Sequence, residues 1–466
     1  MAARVVPLEL LPLTGPATVL RALGAFGGRS GLALLDSAAG EPRRWSVLGF
    51  DPLAGAGPLP RDLGGLEEYC GQLQAAAGDS VPGPFAGGFI GALSYDLGVA
   101  GEEQSLPADA WQTPPVVGGL YTDFCVLDQE HGQAWLALGD TPGDGRASVD
   151  QRERELLECW QAAQERDAGE CVPAGSLVRH TSSADHQARV EALRAAIGRG
   201  DCYQANLAHR FTRALEGAPL DLYQHLRQIN PAPYMAYLAW DEEAQPAGAA
   251  PVGALLSASP ELLLECQGGR LRTRPIKGTA ARAATPEADR LAAEGLLASA
   301  KDRAELAMIV DLERNDLGRV SEHGSVSVHG FPSLRTYATV HHLEADVRGR
   351  LAPGRSVFDA LAAVFPGGSI TGAPKLAAMD QIARLEGQGR GFFTGSAGFV
   401  DVRGEALWNI LIRTLVWRPG QVSYHVGGGI TYSSEALAED EETLHKGRAL
   451  ARALEGSQRE VAHPAE

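Results

Sequence analysis

The chain lacks an excess of positive charge and has no run of basic residues. Its 466 residues include 41 lysines and arginines against 58 aspartates and glutamates, which gives a net charge of −17. Proteins that bind nucleic acid usually present a basic face, and an acidic surface is repelled by anionic lipids. The charge balance therefore weighs against nucleic acid and membrane partners. It allows a small anionic ligand where the site itself supplies cations.

Long apolar runs and paired cysteines are also missing. No run reaches the ~18 apolar residues that would predict a membrane-spanning helix, and Pro7, Glu9 and Pro12 interrupt the only candidate for a signal peptide. The six cysteines include no C-x-x-C pair. This predicts reduced thiols rather than a disulfide framework or a cysteine zinc site, and a cytoplasmic location.

Several common catalytic motifs are absent as well. The segment FPGGSITGAPK (365–375) lacks the Lys-Ser/Thr end of a phosphate-binding loop, and GAGPLP (55–60) lacks the third glycine of a dinucleotide fingerprint. Neither G-x-S-x-G nor H-E-x-x-H occurs. These absences weigh against a P-loop NTPase, a Rossmann dehydrogenase, a serine hydrolase and a zinc protease.

The composition that remains is that of a globular protein, with 44% hydrophobic and 21% charged residues. Helical and strand patterns are mixed without regular βαβ alternation, which predicts an α+β fold. We expect an N-terminal lobe over 1–140, a linker with a helix over 141–178, a catalytic domain over 179–457 and a polar tail over 458–466. The patterns predict helices over 149–166, 186–201 and 300–318, a last helix that includes 440–454, a strand over 203–211, and hairpins over 122–138 and 259–278.

The hairpin at 259–278 places a lysine beside a glutamate. If Gly268 and the glycine after it form the loop, counting back along both strands sets Glu261 opposite Ile276, with Lys277 next to it. Strand alternation turns Lys277 toward the apolar face of the hairpin. A lysine among apolar groups has a lowered pKa and can act as an amine nucleophile. The alternative is a structural Lys–Glu ion pair at a sheet end.

Two pairs of carboxylates have helical spacing. Asp302 and Glu305 lie three residues apart on one predicted helix, and Glu439 and Glu442 repeat the spacing on the last helix. Brought together, the two pairs would offer the oxygen ligands that suit Mg²⁺. The alternatives are a helix cap for Asp302 and an i,i+4 ion pair with Lys446 for Glu442.

Two further features are compatible with an anionic ligand, and one histidine is a weaker candidate for the site. Gly427–Gly429 follow a strand and predict a turn, either an ordinary one or one whose amides cradle a carboxylate. Arg413 falls in the apolar run LWNILIRTLVW, which predicts a buried strand in which the arginine requires an anionic partner. His342 is isolated, and a histidine of this kind is more often structural than catalytic.

Together these segments resemble a known family, the chorismate-utilising enzymes, which include component I of anthranilate and aminodeoxychorismate synthases and the isochorismate and salicylate synthases. The matching strings are SPELLLE, RPIKGT, AELAMIVDLERNDLGRV, VHHLEADVRGRL, FPGGSITGAPK, ALWNILIRTL, HVGGGI and EDEETLHK. The resemblance implies two stacked antiparallel sheets flanked by helices, with the active site in a cleft.

The resemblance also implies ligands and residue roles. Chorismate would be the substrate, and Mg²⁺ on Glu305, Glu442, Glu439 and Asp302 would hold its ring carboxylate. His342 would lie near the C4 hydroxyl, and Glu261 would be the acid that assists departure of that hydroxyl. The other implied substrate contacts are Arg413, Lys446, Gly427, Gly428, Gly429, Ser369, Thr279, Phe393 and Gln204.

Two positions distinguish the branches of the family. Isochorismate and salicylate synthases carry lysine at the position of Gln204, and anthranilate synthases read P-I-A-G-T where residues 275–279 read P-I-K-G-T. The second motif is that of aminodeoxychorismate synthases, in which Lys277 would form a covalent adduct on the way to 4-amino-4-deoxychorismate, the precursor of p-aminobenzoate and folate.

The ammonia donor and two rival functions complete these expectations. The sequence has no Gly-x-Cys-x-Gly turn, so ammonia must come from free ammonium or from a separate glutamine amidotransferase subunit, and the subunit is the expected partner. One alternative is an anthranilate synthase, because NPAPYM (230–235) and LLDS (34–37) resemble segments that bind regulatory tryptophan; both strings also suit a plain turn and strand. The other is a non-catalytic chorismate-binding subunit.

Overall fold

The computed structural model describes residues 2–8, 16–39, 44–73, 81–99, 107–140, 145–240, 252–337 and 340–455. The predicted tail over 458–466 lies outside these ranges. The strands, in chain order, are β1 (Ala2–Leu8), β2 (Ala33–Asp36), β3 (Trp45–Gly49), β4 (Gly88–Leu93), β5 (Val116–Tyr121), β6 (Asp123–Asp128), β7 (Gln133–Asp140), β8 (Val172–Arg179), β9 (Gln204–Glu216), β10 (Tyr234–Trp240), β11 (Gly253–Ser259), β12 (Leu262–Gln267), β13 (Arg270–Arg274), β14 (Ile276–Ala281), β15 (Ser327–Thr336), β16 (Val340–Arg350), β17 (Gly372–Ala373), β18 (Ser396–Asp401), β19 (Ala406–Asn409), β20 (Thr414–Arg418) and β21 (Gln421–Ile430). The α-helices are α1 (Pro16–Phe26), α2 (Leu63–Cys70), α3 (Val149–Ala162), α4 (Ser183–Arg199), α5 (Pro219–Ile229), α6 (Pro286–Ala298), α7 (Ala300–Gly318), α8 (Val357–Val364), α9 (Gly368–Thr371), α10 (Lys375–Glu386) and α11 (Ala436–Ala453).

The strands form two antiparallel sheets, which confirms the predicted α+β class. The 12-stranded sheet runs β1-β7-β6-β3-β2-β10-β11-β20-β21-β9-β17, with β8 also on β9. The nine-stranded sheet runs β14-β16-β13-β12-β19-β18-β4-β5, with β15 also on β16. Strands from both predicted lobes, 1–140 and 179–457, contribute to both sheets, and the predicted linker over 141–178 contributes β8.

The two sheets stack on each other and carry helices on their outer faces. Phe85 packs between them, with its ring centroid 4.9 Å from that of Phe124 on β6 and 5.4 Å from that of Phe399 on β18. Side chains of α1, α3, α5 and α11 cover the outer face of the 12-stranded sheet, and those of α2, α7 and α8 cover the other sheet. Burial of these apolar faces is the main source of stability. No helix in the described ranges is long and apolar enough to cross a bilayer.

Several local predictions are confirmed. Helix α7 begins after Ser299, whose hydroxyl accepts a hydrogen bond from the Asp302 amide at 3.2 Å, and it ends at Gly318. Helix α4 ends where Gly200 adopts a φ of 88°, a conformation that glycine adopts without steric cost. The hairpin β6–β7 turns through Gly132, and α3 lies in its predicted segment. β9 covers most of the predicted strand but continues to Glu216, and α11 contains nearly all of the predicted last segment.

The register of the 259–278 hairpin differs from the prediction. Gln267 faces Arg270 as expected, but a bulge shifts the pairing so that Leu262 faces Arg274. The ladder ends there, and Ile276 begins β14, which pairs with β16. Glu261 is therefore not paired with Ile276 as a strand neighbour. Its side chain accepts the Ile276 amide at 3.4 Å, so the predicted proximity holds by a different contact.

Candidate active site

The predicted site residues lie where edges of the two sheets meet three helices. From the 12-stranded sheet come β9 and β21, and from the nine-stranded sheet come β14 and β16. Helices α7 and α11 carry the two predicted carboxylate pairs, and the short α9 carries Ser369. Residues far apart in sequence thereby come close together in one region, called the cleft.

Lys277 lies in this cleft on β14. Its ammonium donates to the Ser369 carbonyl at 3.2 Å. Burial lowers the pKa of Lys277; Glu305 and Glu261 oppose the shift, and the charge of Lys446 adds to it. A lowered pKa increases the fraction of free amine, which is the nucleophilic form.

Glu261 is buried near Lys277, with 4% of its surface exposed. Burial raises the pKa of this carboxyl group, while the Ser369 hydroxyl and the charge of Lys277 act against the shift. A carboxyl group whose pKa is raised is suited to donate a proton. The cleft therefore holds a candidate nucleophile that contacts the Ser369 carbonyl and a candidate acid near the Ser369 hydroxyl.

Gly427–Gly429 do not form the predicted turn. They continue β21 and pair with Leu207 and its neighbours on β9. The reason for three glycines is close packing: a Cβ at Gly428 would lie 3.2 Å from Glu439 Oε2. A Cβ at Gly429 would lie 2.5 Å from Gln204 Nε2 and 3.6 Å from Lys277 Nζ. The bare backbone lets side chains of both sheets approach each other.

The four predicted metal ligands face this same region from two helices. Burial raises the pKa values of Glu305 and Glu439, and the charge of Glu442 raises both further. Asp302 adds its charge to Glu305 and packs on Gly278, where a Cβ would lie 2.9 Å from Asp302 Cγ. A divalent cation would relieve this repulsion between oxygen donors. Among the described residues, however, these four carboxylates are not one of the groups whose ligand atoms lie close enough together to share an ion, so the Mg²⁺ site stays a prediction.

Two lysines stand beside these carboxylates. Lys446 forms the expected i,i+4 ion pair with Glu442 at 2.7 Å and donates to the Gly427 carbonyl at 3.3 Å. Burial acts to raise the pKa of Glu442, but Lys446 outweighs it and the net shift is downward. The Lys301 Nζ atom lies 3.9 Å from Glu305 Oε1.

His342 and Thr279 are paired across β14 and β16. The Thr279 hydroxyl lies 2.9 Å from His342 Nδ1, and Nε2 is buried without a hydrogen-bond partner in the described ranges. Burial and the charge of Arg413 lower the pKa of His342 to about 4. The imidazole is therefore neutral at pH 7, with one ring nitrogen left for a ligand.

Gln204 and Arg413 are further polar groups without partners. Gln204 is fully buried, and neither atom of its amide is hydrogen-bonded within the described part of the chain. Arg413 is not in a strand as predicted; it precedes β20 with a φ of 52°. Its guanidinium makes no ion pair or hydrogen bond with any described residue, and burial lowers its pKa while Glu261 opposes the shift. A buried amide such as that of Gln204 normally has partners, and the half-buried Arg413 guanidinium has none among the described residues, so a bound ligand is their natural complement.

Phe393 is the predicted residue that the structure ties least to the cleft. Its ring stacks on His425 at 5.2 Å between centroids and lies under the Arg390 guanidinium at 5.4 Å. Its role in substrate binding stays a prediction.

Sequence reasoning missed Asn206 and Lys301. The Asn206 Oδ1 atom is buried without a partner, 2.6 Å from where a Gly427 Cβ would lie. Strand alternation from Gln204 was the available signal, because residues two apart share a face. For Lys301 the signal was its i,i+4 spacing from Glu305.

Comparison with known proteins identifies the family of the chain. A match to the chorismate binding enzymes spans residues 59–452 and so begins within the predicted N-terminal lobe. The chain is 36% identical over 449 residues to aminodeoxychorismate synthase component 1 of Bacillus subtilis, covering 92% of each chain. It is 38% identical over 448 residues to an anthranilate synthase component 1 of Haloarcula marismortui, covering 93% of this chain and 87% of that one.

A solved structure shows the same fold. Anthranilate synthase component I from Streptococcus pneumoniae superimposes with a TM-score of 0.75 at 29% identity, covering 89% of this chain and 93% of that one. The extent of the family match and the level of identity to full-length relatives lead to one conclusion: the chain belongs to the chorismate binding enzyme family.

Proposed function

We propose that the protein is an aminodeoxychorismate synthase component I, which converts chorismate and ammonia to 4-amino-4-deoxychorismate. The observation that carries the proposal is Lys277, a lysine with a lowered pKa in the cleft, 3.2 Å from the Ser369 carbonyl and close to the buried acid Glu261. The similarity to the Bacillus subtilis synthase supports the same choice.

The first step uses both groups. The Lys277 amine forms a bond to C2 of chorismate, the ring double bond shifts, and the C4–O bond breaks. Glu261 gives its proton to the departing hydroxyl, which leaves as water. The proton on the new secondary ammonium returns to the Glu261 carboxylate. His342 is neutral, so its free Nε2 can accept or donate a hydrogen bond at the C4 hydroxyl without adding charge.

The second step reverses the first with ammonia in place of water. Ammonia forms the C4–N bond, the double bond shifts back and the C2–Nζ bond breaks, which restores Lys277. The net reaction consumes chorismate and ammonia and yields the aminated product and water, with the enolpyruvyl group retained. We propose that a glutamine amidotransferase subunit delivers the ammonia; the relatives' names, which call them component 1, support a partner.

Recognition of the substrate carboxylates follows from charge. Arg413 and the Gln204 amide lack partners in the described structure and offer donors to one carboxylate. Glu305, Glu439, Glu442 and Asp302 would hold Mg²⁺, which when bound supplies positive charge for the ring carboxylate in a chain whose net charge is −17. If so, treatment with EDTA abolishes turnover and added Mg²⁺ restores it.

Anthranilate synthase is the second candidate, because the Haloarcula relative is 38% identical over nearly the whole chain. That reaction also starts from chorismate but places the amino group at C2 and releases pyruvate. It provides no role for an amine nucleophile at position 277.

A product assay separates the two. The purified protein is incubated with chorismate, Mg²⁺ and ammonium at pH ~8, where some free ammonia is present, and the mixture is analysed by mass spectrometry. An aminated chorismate that keeps its pyruvyl carbons supports the proposal. Fluorescent anthranilate with free pyruvate refutes it in favour of the second candidate, and absence of turnover with ammonium would indicate a binding role or a strict need for the partner.

A further inference from the structure

Helix α7 carries a second pair of acids that the mechanism above does not use. Glu313 and Asp316 lie beyond the cleft pair on the same helix, each with 4% of its surface exposed. Asp316 forms an ion pair with Lys375 at 2.8 Å, and Lys375 also donates to the Val364 carbonyl at 3.1 Å. The charge of Lys375 is therefore already matched. Glu313 forms no ion pair with a described residue, and its Oε2 is buried without a hydrogen-bond partner there.

The other carboxyl oxygen of Glu313 faces α9. A Cβ at Gly368 would lie 3.5 Å from Glu313 Oε1 and 2.4 Å from a methyl carbon of Leu312. Only glycine lets the first turn of α9 lie this close to α7. The next residue, Ser369, accepts the Lys277 ammonium on its carbonyl at 3.2 Å and places its hydroxyl beside Glu261.

The surroundings of Glu313 favour its neutral form. Burial raises its pKa to about 8, and the charges of Asp316 and Glu261 raise it too, while Lys375 and the Gly368 amide act in the opposite direction. An ionised Glu313 would be a second buried anion near Glu261 with no cation of its own, which is costly. As a neutral acid it can hold the α9 backbone without changing the charge around Lys277.

We propose that Glu313 is a positioning residue for the Lys277–Glu261 pair and acts through the Gly368–Ser369 backbone. The inference rests on the proposed use of Lys277 and Glu261 in turnover, but it does not depend on which product forms. It assigns a task to the acid of the LERND segment, which touches neither the metal ligands nor the substrate contacts.

The test compares Glu313→Leu with Glu313→Gln. Leucine removes the polar contact to α9, and small displacements of catalytic groups cost up to about 10²-fold in rate, so we expect kcat to fall by about tenfold to 10²-fold with little change in the KM for chorismate. Glutamine is neutral and keeps an acceptor, so it restores most of the lost kcat. Total chorismate consumption with ammonium is measured, so either product counts.

A second measurement does not need activity. Because the pKa of Glu313 is raised from 4.5 to about 8, the wild type loses stability as pH rises through this interval, and Glu313→Gln does not. The melting temperature of the variant relative to wild type should therefore rise between pH 5 and pH 8. Glu386→Gln is the matched control: Glu386 is buried but ion-paired with Arg390 at 2.6 Å, so its loss lowers stability throughout this range.

Each outcome decides the proposal. It is overturned if Glu313→Leu turns over like wild type, or if a folded Glu313→Gln is as slow as the leucine variant. If the leucine variant does not fold, a slow glutamine variant overturns the proposal, and otherwise the melting measurement decides. If wild type shows no turnover with ammonium, which indicates a binding role or a need for the partner, the melting measurement again decides. A melting difference that then does not change with pH overturns the neutral acid on which the positioning role depends.

Discussion

Two polar regions of this protein each contain a glutamine and an arginine, but the side chains have hydrogen-bond partners in only one of them. Around Asp36, at the end of β2, the carboxylate accepts hydrogen bonds from Arg227 Nε at 2.5 Å, Ser46 Oγ at 2.7 Å and Gln129 Nε2 at 3.2 Å. In the cleft, Gln204 and Arg413 have no such partners among the described residues.

The difference separates a region that stabilises the fold from one that awaits a ligand. Gln129 and Gln204 are both buried, at 4% and 0% exposure, yet only Gln129 is satisfied from within the chain. An unsatisfied buried amide lowers the free energy of unfolding. We expect such an amide where a bound ligand supplies the missing hydrogen bonds. Variants of the two regions should therefore fail in opposite ways, the first in stability and the second in activity.

The largest expected effect is on Lys277. Lys277→Ala removes the proposed nucleophile and should lower turnover of chorismate with ammonium by roughly 10³-fold or more. Burial lowers the pKa of this lysine, so its loss should leave the melting temperature unchanged or higher. Lys277→Arg keeps the cation without the nucleophile and should be equally inactive. Turnover by the alanine variant at the wild-type rate would rule out the covalent route.

The next effect is on stability. Asp36→Ala leaves the Arg227 guanidinium buried without its carboxylate, and breaking a buried pair in this way costs about 3–5 kcal/mol. Urea unfolding should show that loss, while chorismate turnover per folded molecule stays at the wild-type level. The double variant Asp36→Leu/Arg227→Met should recover much of the stability. A selective loss of activity would instead place this region in substrate handling.

Asp36 also shows how far the sequence could be interpreted. The LLDS string predicts either a tryptophan-binding segment or a plain strand. In the structure it lies mostly in β2. The Ala38 amide, just after it, donates to the carbonyl of Ala232 in the NPAPYM segment at 3.1 Å. Periodicity predicts α3, α4, α7 and α11, and a capping serine marks the start of α3, α4 and α7. The charge network of Asp36 involves residues up to 191 positions away, and no local pattern encodes such a partner.

The site residues could be predicted where they lie in sequence motifs of the family. The strand register and the conformation of the glycines could not, because they depend on backbone geometry. Counting an ideal ladder predicts Lys277 beside Glu261. The bulge between Leu262 and Glu265 shifts the register, and a side-chain contact takes the place of that pairing. The three glycines of β21 predict a turn from composition. They lie in a strand because close approach of Gln204 and Glu439, not turn formation, requires them.

A smaller effect is expected for Arg413→Gln. Hydrogen bonds to charged groups are worth about 1.5–3 kcal/mol, so the KM for chorismate should rise by about 10- to 10²-fold. Stability should not fall, because the guanidinium lacks partners in the described part of the fold. Arg227→Gln is the matched control and should show the reverse: lower stability and an unchanged KM. Equal destabilisation by the two variants would remove the distinction between the regions.

The smallest expected effect is a pH dependence of stability that comes from His342. This histidine, like Gln204, has a buried polar atom without a partner among the described residues. Its pKa is lowered from 6.5 to about 4 because burial and Arg413 disfavour the protonated ring. A depressed pKa of this kind adds stability above pH 6.5, and that contribution is lost as pH falls toward 4. One pKa unit is worth about 1.4 kcal/mol, so wild type should lose under about 1 kcal/mol relative to His342→Gln between pH 7 and pH 6. Melting curves of the two proteins across that interval measure the difference. A constant difference down to pH 4 would mean that the ring has the same pKa in the folded and unfolded chain, so that the pKa is not depressed and the folded ring is protonated below about pH 6.5.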